Sequence, residues 1–145
     1  MKKILIVLAN YYPEISKLLL QGCQNKLKEL GYEFEILEVD GALEIPVAIA
    51  YVNASNQREK YQGYIALGCV IRGETSHYDI VCNESARGIS KLSLKYQLAI
   101  ANGILTVENF QQAIVRADQS QKNKGGFCAQ ACHNLIKIKN QFNIN

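Results

Sequence analysis

The most chemically pointed feature of this 145-residue chain is a histidine in a polar turn between an apolar run and a helical stripe. The turn lies inside Gly68–Arg87 and reads Arg72-Gly73-Glu74-Thr75-Ser76-His77, and His77 is one of only two histidines. An imidazole ordinarily titrates near pH ~6.5, so it can give and take protons close to neutrality. A turn that opens a helix also leaves backbone N–H groups free to hold a phosphate or a carboxylate. These residues predict an anion site with a proton-transfer group beside it.

The elements that must position the turn follow from periodicity. Tyr64–Val70 has the apolar, β-branched and aromatic composition of a buried strand, the third of the chain. Beyond the turn, Ile80, Val81, Glu84, Ser85, Ile89, Leu92 and Tyr96 fall at helical spacing. Earlier, Ile4–Ala9 reads as a strand covered on both faces, and Asn10-Tyr11-Tyr12-Pro13 breaks it. A helical stripe from Ile15 to Leu30 is stopped by Gly31. Phe34, Ile36 and Val39 mark a second strand, and Pro46 suits the first turn of a helix running to about Asn56. A polar connector, Ser55–Gln62, leads to the third strand. Leu98–Leu105 is read as a fourth strand interrupted by Asn102-Gly103, with a helix starting over Thr106–Asn109. Its apolar positions are Phe110, Ala113, Ile114 and Ala117. After the break Asp118–Lys124, a last helix carries Phe127, Cys128, Ala131, Leu135 and Ile138.

This alternation predicts an α/β fold, a flavodoxin-like three-layer α/β/α sandwich with a four-stranded parallel sheet, residues 1–145 forming one domain. The strand-to-helix loops of such a sheet share one edge, where ligands bind. They bring together Tyr11 and Tyr12, Ala42-Leu43-Glu44, Ile71–His77 and the region around Asn102–Thr106. Each piece also has a plainer reading. Tyr11 could shield a strand end, Glu44 could complement a helix dipole, and His77 could be a polar helix opener. Arg116, late in a helix, suits the dipole in any case, and Lys124 is uninformative alone.

Composition narrows the classes. The net charge of +3 is mild and the lysines are scattered, so nucleic acid is not an expected partner. No apolar run approaches a membrane span, and Met1-Lys2-Lys3 before Ile4–Ala9 does not make a secretory leader, so the expectation is a cytoplasmic protein without a membrane partner. Five cysteines without Cys-x-x-Cys spacing argue against a disulfide framework, and Cys128, Cys132 and His133 on one helix read as core residues rather than a metal site. Neither a phosphate loop nor a dinucleotide Gly-x-Gly-x-x-Gly follows the first strand.

Taken together, the segments Gly41-Ala42-Leu43-Glu44-Ile45-Pro46, Arg72–Asp79, Asn102–Asn109, Gln112–Ala117 and Asn123-Lys124-Gly125 resemble the lumazine synthase family, in the family's order and over essentially the whole chain. That resemblance implies condensation of 5-amino-6-(D-ribitylamino)uracil with 3,4-dihydroxy-2-butanone 4-phosphate, releasing phosphate and water, in riboflavin biosynthesis and with no metal or organic cofactor. It implies His77 as the proton-transfer residue. It places the phosphate on the Glu74–Thr75 backbone and on Arg116, with Lys124 assisting. Tyr11 takes the position of the stacking aromatic, Ala42, Leu43 and Glu44 meet the pyrimidine and ribityl chain, and Cys69, Val70 and Ile71 line the ring pocket. Asn102 comes from a facing loop. Sites lie between adjacent subunits of a homo-oligomer, with Arg116 and Lys124 offered to a partner's pocket and Asn102 donated in the opposite direction.

The sequence departs from the family's pattern in three pocket positions. Tyr11 stands where many members have Phe or Trp, Leu43 replaces a commoner Phe, and Asn102 sits where some carry an aromatic. With only Met1-Lys2-Lys3 ahead of the first strand, a free pentamer is expected rather than a sixty-subunit shell. The alternative is a non-catalytic flavin- or lumazine-binding module on the same scaffold. His77 together with Arg116 favours the enzyme, because a flavin binder needs no second, phosphate-bearing substrate site.

Overall fold

The computed structural model describes residues 2–145. In chain order the elements are β1 (Lys3–Ala9), α1 (Pro13–Glu29), β2 (Phe34–Val39), α2 (Glu44–Ala54), a 3₁₀ turn (Arg58–Lys60), β3 (Tyr61–Ile71), α3 (His77–Tyr96), β4 (Ile100–Val107), α4 (Phe110–Ala117) and α5 (Lys124–Gln141). All strand pairs are parallel, in the order β2-β1-β3-β4. This is the expected flavodoxin-like sandwich.

Side chains on a strand alternate between faces, so each buried strand feeds two cores. Ile4, Ile6 and Leu8 of β1 join Ile15, Leu19 and Leu27 of α1, Ala113 of α4 and Cys132 of α5. Leu5, Val7 and Ala9 point the other way, onto Ile45 and Ile49 of α2 and Ile89 of α3. Helices α1, α4 and α5 thus cover one face, α2 and α3 the other. Pro13 opens α1 at the position where its missing N–H costs nothing, and Gly31 takes a φ of 83° just past the helix end, as expected. Cys128 and Cys132 are buried against the sheet, while His133 Nδ1 meets the Tyr32 hydroxyl at 2.6 Å.

The fourth strand departs from expectation. It runs unbroken through Asn102-Gly103 and continues to Val107, so these residues pair with Ala66 and Leu67 mid-strand and do not form a loop at the carboxyl edge. Packing gives the reason. A Cβ on Gly103 would lie 2.8 Å from Cys128 Sγ and 2.9 Å from the Ala66 carbonyl oxygen, so the missing side chain lets α5 approach the strand. Asn102 faces solvent, its Oδ1 accepting the Ile104 N–H at 3.0 Å. Helix α4 accordingly starts at Phe110, with the Asn109 side chain accepting from Gln112 N at 2.9 Å as the N-cap. Phe127, Leu135 and Ile138, expected on the buried stripe of α5, stay exposed, as does Phe110 at the start of α4.

At the amino edge of the sheet Glu35 joins β2 to its neighbours. It accepts hydrogen bonds from the Tyr61 hydroxyl and from Lys3 Nζ (2.9 Å), and Lys60 Nζ lies 3.6 Å away. The Tyr61 bond first, then the Lys3 bond and the two lysine charges, hold its carboxyl at about 2. Because the folded value lies below the unfolded one of about 4.3, the stabilisation is complete above that pH and is lost as pH falls through the folded value. Denaturant midpoints of the wild type should therefore fall more steeply than those of Glu35→Gln over this acid range. Parallel slopes would refute the assignment.

Candidate active site

The chain order reverses at the centre of the sheet: β2 lies on one side of β1, and β3 on the other. Successive loops splay apart at such a switch point and leave a crevice outside the strand ends. Here that crevice is a cleft of about 350 Å³. Tyr11 and Tyr12 after β1, Asp40–Glu44 after β2, Cys69–Ile71 at the end of β3, and Gly73, Thr75, His77, Tyr78 and Val81 enclose it.

Of the residues singled out in the sequence, Tyr11, Ala42, Leu43, Glu44, Cys69, Val70, Ile71, Thr75 and His77 meet in this cleft. Tyr11 is 68% exposed and stands edge-on to Tyr12, with ring centroids 5.0 Å apart, so one broad face of its ring is open to a planar ligand. Glu44 is the first residue of α2, so its carboxylate both borders the cleft and complements that helix's dipole. A Cβ on Gly88 of α3 would lie 2.8 Å from Pro46 Cβ, so this glycine allows α2 and α3, which open with Glu44 and His77 in the cleft wall, to approach. Burial pushes the Cys69 thiol up to about 11, making it a neutral wall group.

His77 is the first residue of α3, and no side chain caps that helix. Its own N–H is taken by Thr75 Oγ1 at 3.3 Å. The N–H groups of Gly73, Glu74, Thr75 and Ser76 donate to no acceptor among the described residues, which leaves an exposed run of amides beside the imidazole. That run can hold a phosphate while the histidine exchanges protons with a neighbouring atom.

Arg72, to which the sequence gave no separate role, fixes this loop. Its N–H donates to Val107 O at 3.0 Å, and its Nε donates to Glu108 at 2.6 Å. Asp79 lies 3.5 Å from its other end, and the guanidinium sits 4.3 Å from the Tyr78 ring centroid. Pairing of Ile71 with Val107 sets Arg72 and Glu108 side by side, a register that spacing along the chain does not disclose. Tyr12 lines the cleft beside Tyr11, as expected of its loop; Asp40, Tyr78 and Val81 line it beyond expectation, and Val81, one turn after His77, is detectable from helical spacing.

Four expected residues lie elsewhere in the protomer. Glu74 is exposed beside the cleft without lining it. Asn102 is mid-strand on the β4 edge, Arg116 ends α4 with Nη1 donating to its own helix at Gln112 O (3.1 Å), and Lys124 opens α5 with Nζ 5.0 Å from the Phe127 ring centroid. Among the described residues no lysine or arginine lines the cleft, whose acidic groups are Asp40 and Glu44, with His77 beside them.

Fold and cleft together define an α/β enzyme of flavodoxin-like architecture with an amide cradle and a helix-opening histidine at its switch point. The 6,7-dimethyl-8-ribityllumazine synthase family model matches residues 1–140. The 6,7-dimethyl-8-ribityllumazine synthase of Bartonella tribocorum is 49% identical over 142 residues, covering 98% of this chain and 93% of its own. That of Novosphingobium aromaticivorans is 51% identical over 142 residues, covering 98% and 99%. That of Bartonella henselae is 51% identical over 139 residues, covering 96% and 89%. The chain belongs to the 6,7-dimethyl-8-ribityllumazine synthase family, whose members are transferases of riboflavin biosynthesis.

Proposed function

We propose that residues 1–145 act as one catalytic domain whose cleft condenses 5-amino-6-(D-ribitylamino)uracil with 3,4-dihydroxy-2-butanone 4-phosphate, and that a neighbouring protomer completes each site. One observation carries the second part: a run of unpaired amides suited to a phosphate dianion borders a cleft with no permanent cation among the described residues. Arg116 of an adjacent subunit supplies the guanidinium, assisted by Lys124, and Asn102 reaches a pocket across the same kind of boundary. Exposed Leu43, Val47, Ile80 and Phe110 give the protomer apolar surface to bury in such an assembly, for which a homopentamer in the cytoplasm is our reading.

The pyrimidine stacks on Tyr11 between Ala42-Leu43 and the Cys69–Ile71 wall, and Glu44 engages its polar edge or the ribityl hydroxyls. The phosphate of the ketone rests on the Glu74–Thr75 amides. The 5-amino group attacks the ketone and water leaves to give an imine. Loss of the C3 proton and the C4 phosphate leaves an enol, which tautomerises to a new carbonyl at C3, and the ribitylamino nitrogen attacks that carbonyl to close the ring with loss of a second water. His77 relays the protons these steps move. Both reactants are intrinsically reactive, so holding them together contributes most of the acceleration, ~7 kcal/mol or more. No metal or organic cofactor enters this scheme.

Mixing the purified protein with both substrates should yield fluorescent lumazine and an equal amount of phosphate. Lumazine binding without phosphate release would instead support a non-catalytic binding module. Arg72 is a positioning residue in this scheme. Arg72→Lys keeps the charge but loses the fork that spans Glu108 and Asp79, so KM for the phosphorylated ketone should rise about 5-fold with kcat little changed. An equal rise in both substrates' KM would mean that Arg72 holds the fold and not the cradle.

A further inference from the structure

A second cavity, of about 480 Å³, lies at the opposite edge of the sheet from the cleft. It opens where the strands begin, between Lys2, the start of β3, the end of α3 and the last turns of α5. Three features of its walls point to a ligand. First, the charges do not balance. Lys2, Arg58 and Lys139 border it, and Glu59, 3.6 Å from Lys2 Nζ and 3.5 Å from Arg58 Nε, is the one acidic side chain among the described lining residues. Lys139, half-buried, forms no salt bridge to a described residue, and burial together with the neighbouring Lys2 charge lowers its pKa. A partly buried ammonium without a counter-ion is costly and is relieved by an anion.

Second, Tyr64 is 3% exposed, yet its hydroxyl donates to no described residue. No described buried side-chain oxygen or nitrogen is left both enclosed and unpaired, so this hydroxyl opens onto the cavity it lines. It is a hydrogen-bonding group on an otherwise buried side chain that borders the cavity. Third, the Tyr96 ring, 44% exposed, and the Tyr61 ring form aromatic walls beside the cations.

We propose that this cavity is a second binding site, distinct from the catalytic cleft, for a small aromatic compound carrying a phosphate monoester. Lys2, Arg58 and Lys139 outnumber Glu59 and the carboxylate of the last residue, Asn145, so the cavity wall keeps a net positive charge that the anionic charge of a phosphate monoester offsets. Lys139 and Arg58 hold the phosphate, the Tyr64 hydroxyl donates to it, and the ring packs on the tyrosine faces. The volume falls within the range of small-ligand pockets, roughly 300–1,000 Å³. The occupant is thereby specified in both halves: an anion alone leaves the aromatic wall unused, and a neutral ring leaves Lys139 unpaired.

Calorimetric titration of the assembled full-length protein with AMP, adenosine and inorganic phosphate tests this. AMP should bind in the millimolar range or tighter, and more tightly than either of the other two probes. Lys139→Gln should weaken AMP about 5–10-fold and Tyr64→Phe about 3-fold, with lumazine turnover unchanged in both. Arg116→Ala, which alters the cleft, should leave AMP affinity as it was. Circular dichroism confirms that each variant is folded. The proposal is overturned if AMP does not bind at millimolar concentration, if either probe lacking the ring or the phosphate binds equally well, or if AMP affinity follows Arg116 and ignores Lys139 or Tyr64.

Discussion

Arg116→Ala is expected to raise KM for 3,4-dihydroxy-2-butanone 4-phosphate by about 10²-fold while the KM of the pyrimidine stays within roughly 2-fold. The asymmetry follows from charge. The cleft of one protomer offers amides, Asp40, Glu44 and His77 but no permanent cation among the described residues, and under the proposal a neighbour brings it. A guanidinium fork on a phosphate makes two charge-assisted hydrogen bonds, and each such bond contributes about 1.5–3 kcal/mol. Losing that fork leaves the dianion on backbone amides alone, which accounts for a loss of ~2.7 kcal/mol, or 10²-fold. The pyrimidine, which the proposal places against Tyr11, the Ala42–Glu44 segment and the Cys69–Ile71 wall, carries no phosphate to miss it. Initial-rate kinetics with each substrate varied in turn reads this directly. Equal increases in both KM values would remove Arg116 from the phosphate site.

His77→Ala should lower kcat about 10²-fold and leave both KM values near those of the wild type. Position supports this restraint. His77 opens α3 in the cleft wall, its backbone N–H tied to Thr75 Oγ1 and its ring free of any hydrogen bond to a described residue, so replacing the ring removes a proton relay without disturbing the cradle. The remaining rate reflects two reactive molecules held face to face, a contribution the mutation does not touch. The loss should be mitigated by an added imidazole-like base in the assay. A folded variant with no measurable turnover would mean that His77 does more than relay protons. One with wild-type kcat would mean that it does less.

How far the chain could be read in advance depended on where each signal was local. Strand β1 and the stripe of α1 repeat at the periods of buried elements, so both were legible, and the turn from Arg72 to His77 announced its chemistry through residue type alone. Asn102-Gly103 suggests a break because Gly and Asn ordinarily end strands, yet β4 runs through it. What holds β4 straight there is a contact with Cys128 from a helix some twenty-five residues further on, which no local rule contains. Phe110, Phe127, Leu135 and Ile138 fit apolar helical stripes, yet all are exposed in the protomer. Periodicity identifies an apolar face without saying what covers it. The same ambiguity attaches to Asn102, Arg116 and Lys124. Their motif is visible in the sequence, but a single chain puts them outside the cleft, and the proposed neighbour is what would give them a site to serve.

Subunit mixing tests that claim most directly. His77→Ala and Arg116→Ala proteins, each nearly inactive at low ketone concentration, are dissociated, combined in equal amounts and reassembled. If each site takes His77 from one protomer and Arg116 from the next, random assembly restores both groups in roughly a quarter of the sites, and activity should rise to about that fraction of wild type. If both groups belong to the same protomer, no mixed assembly contains an intact site, and activity stays at the average of the two parents.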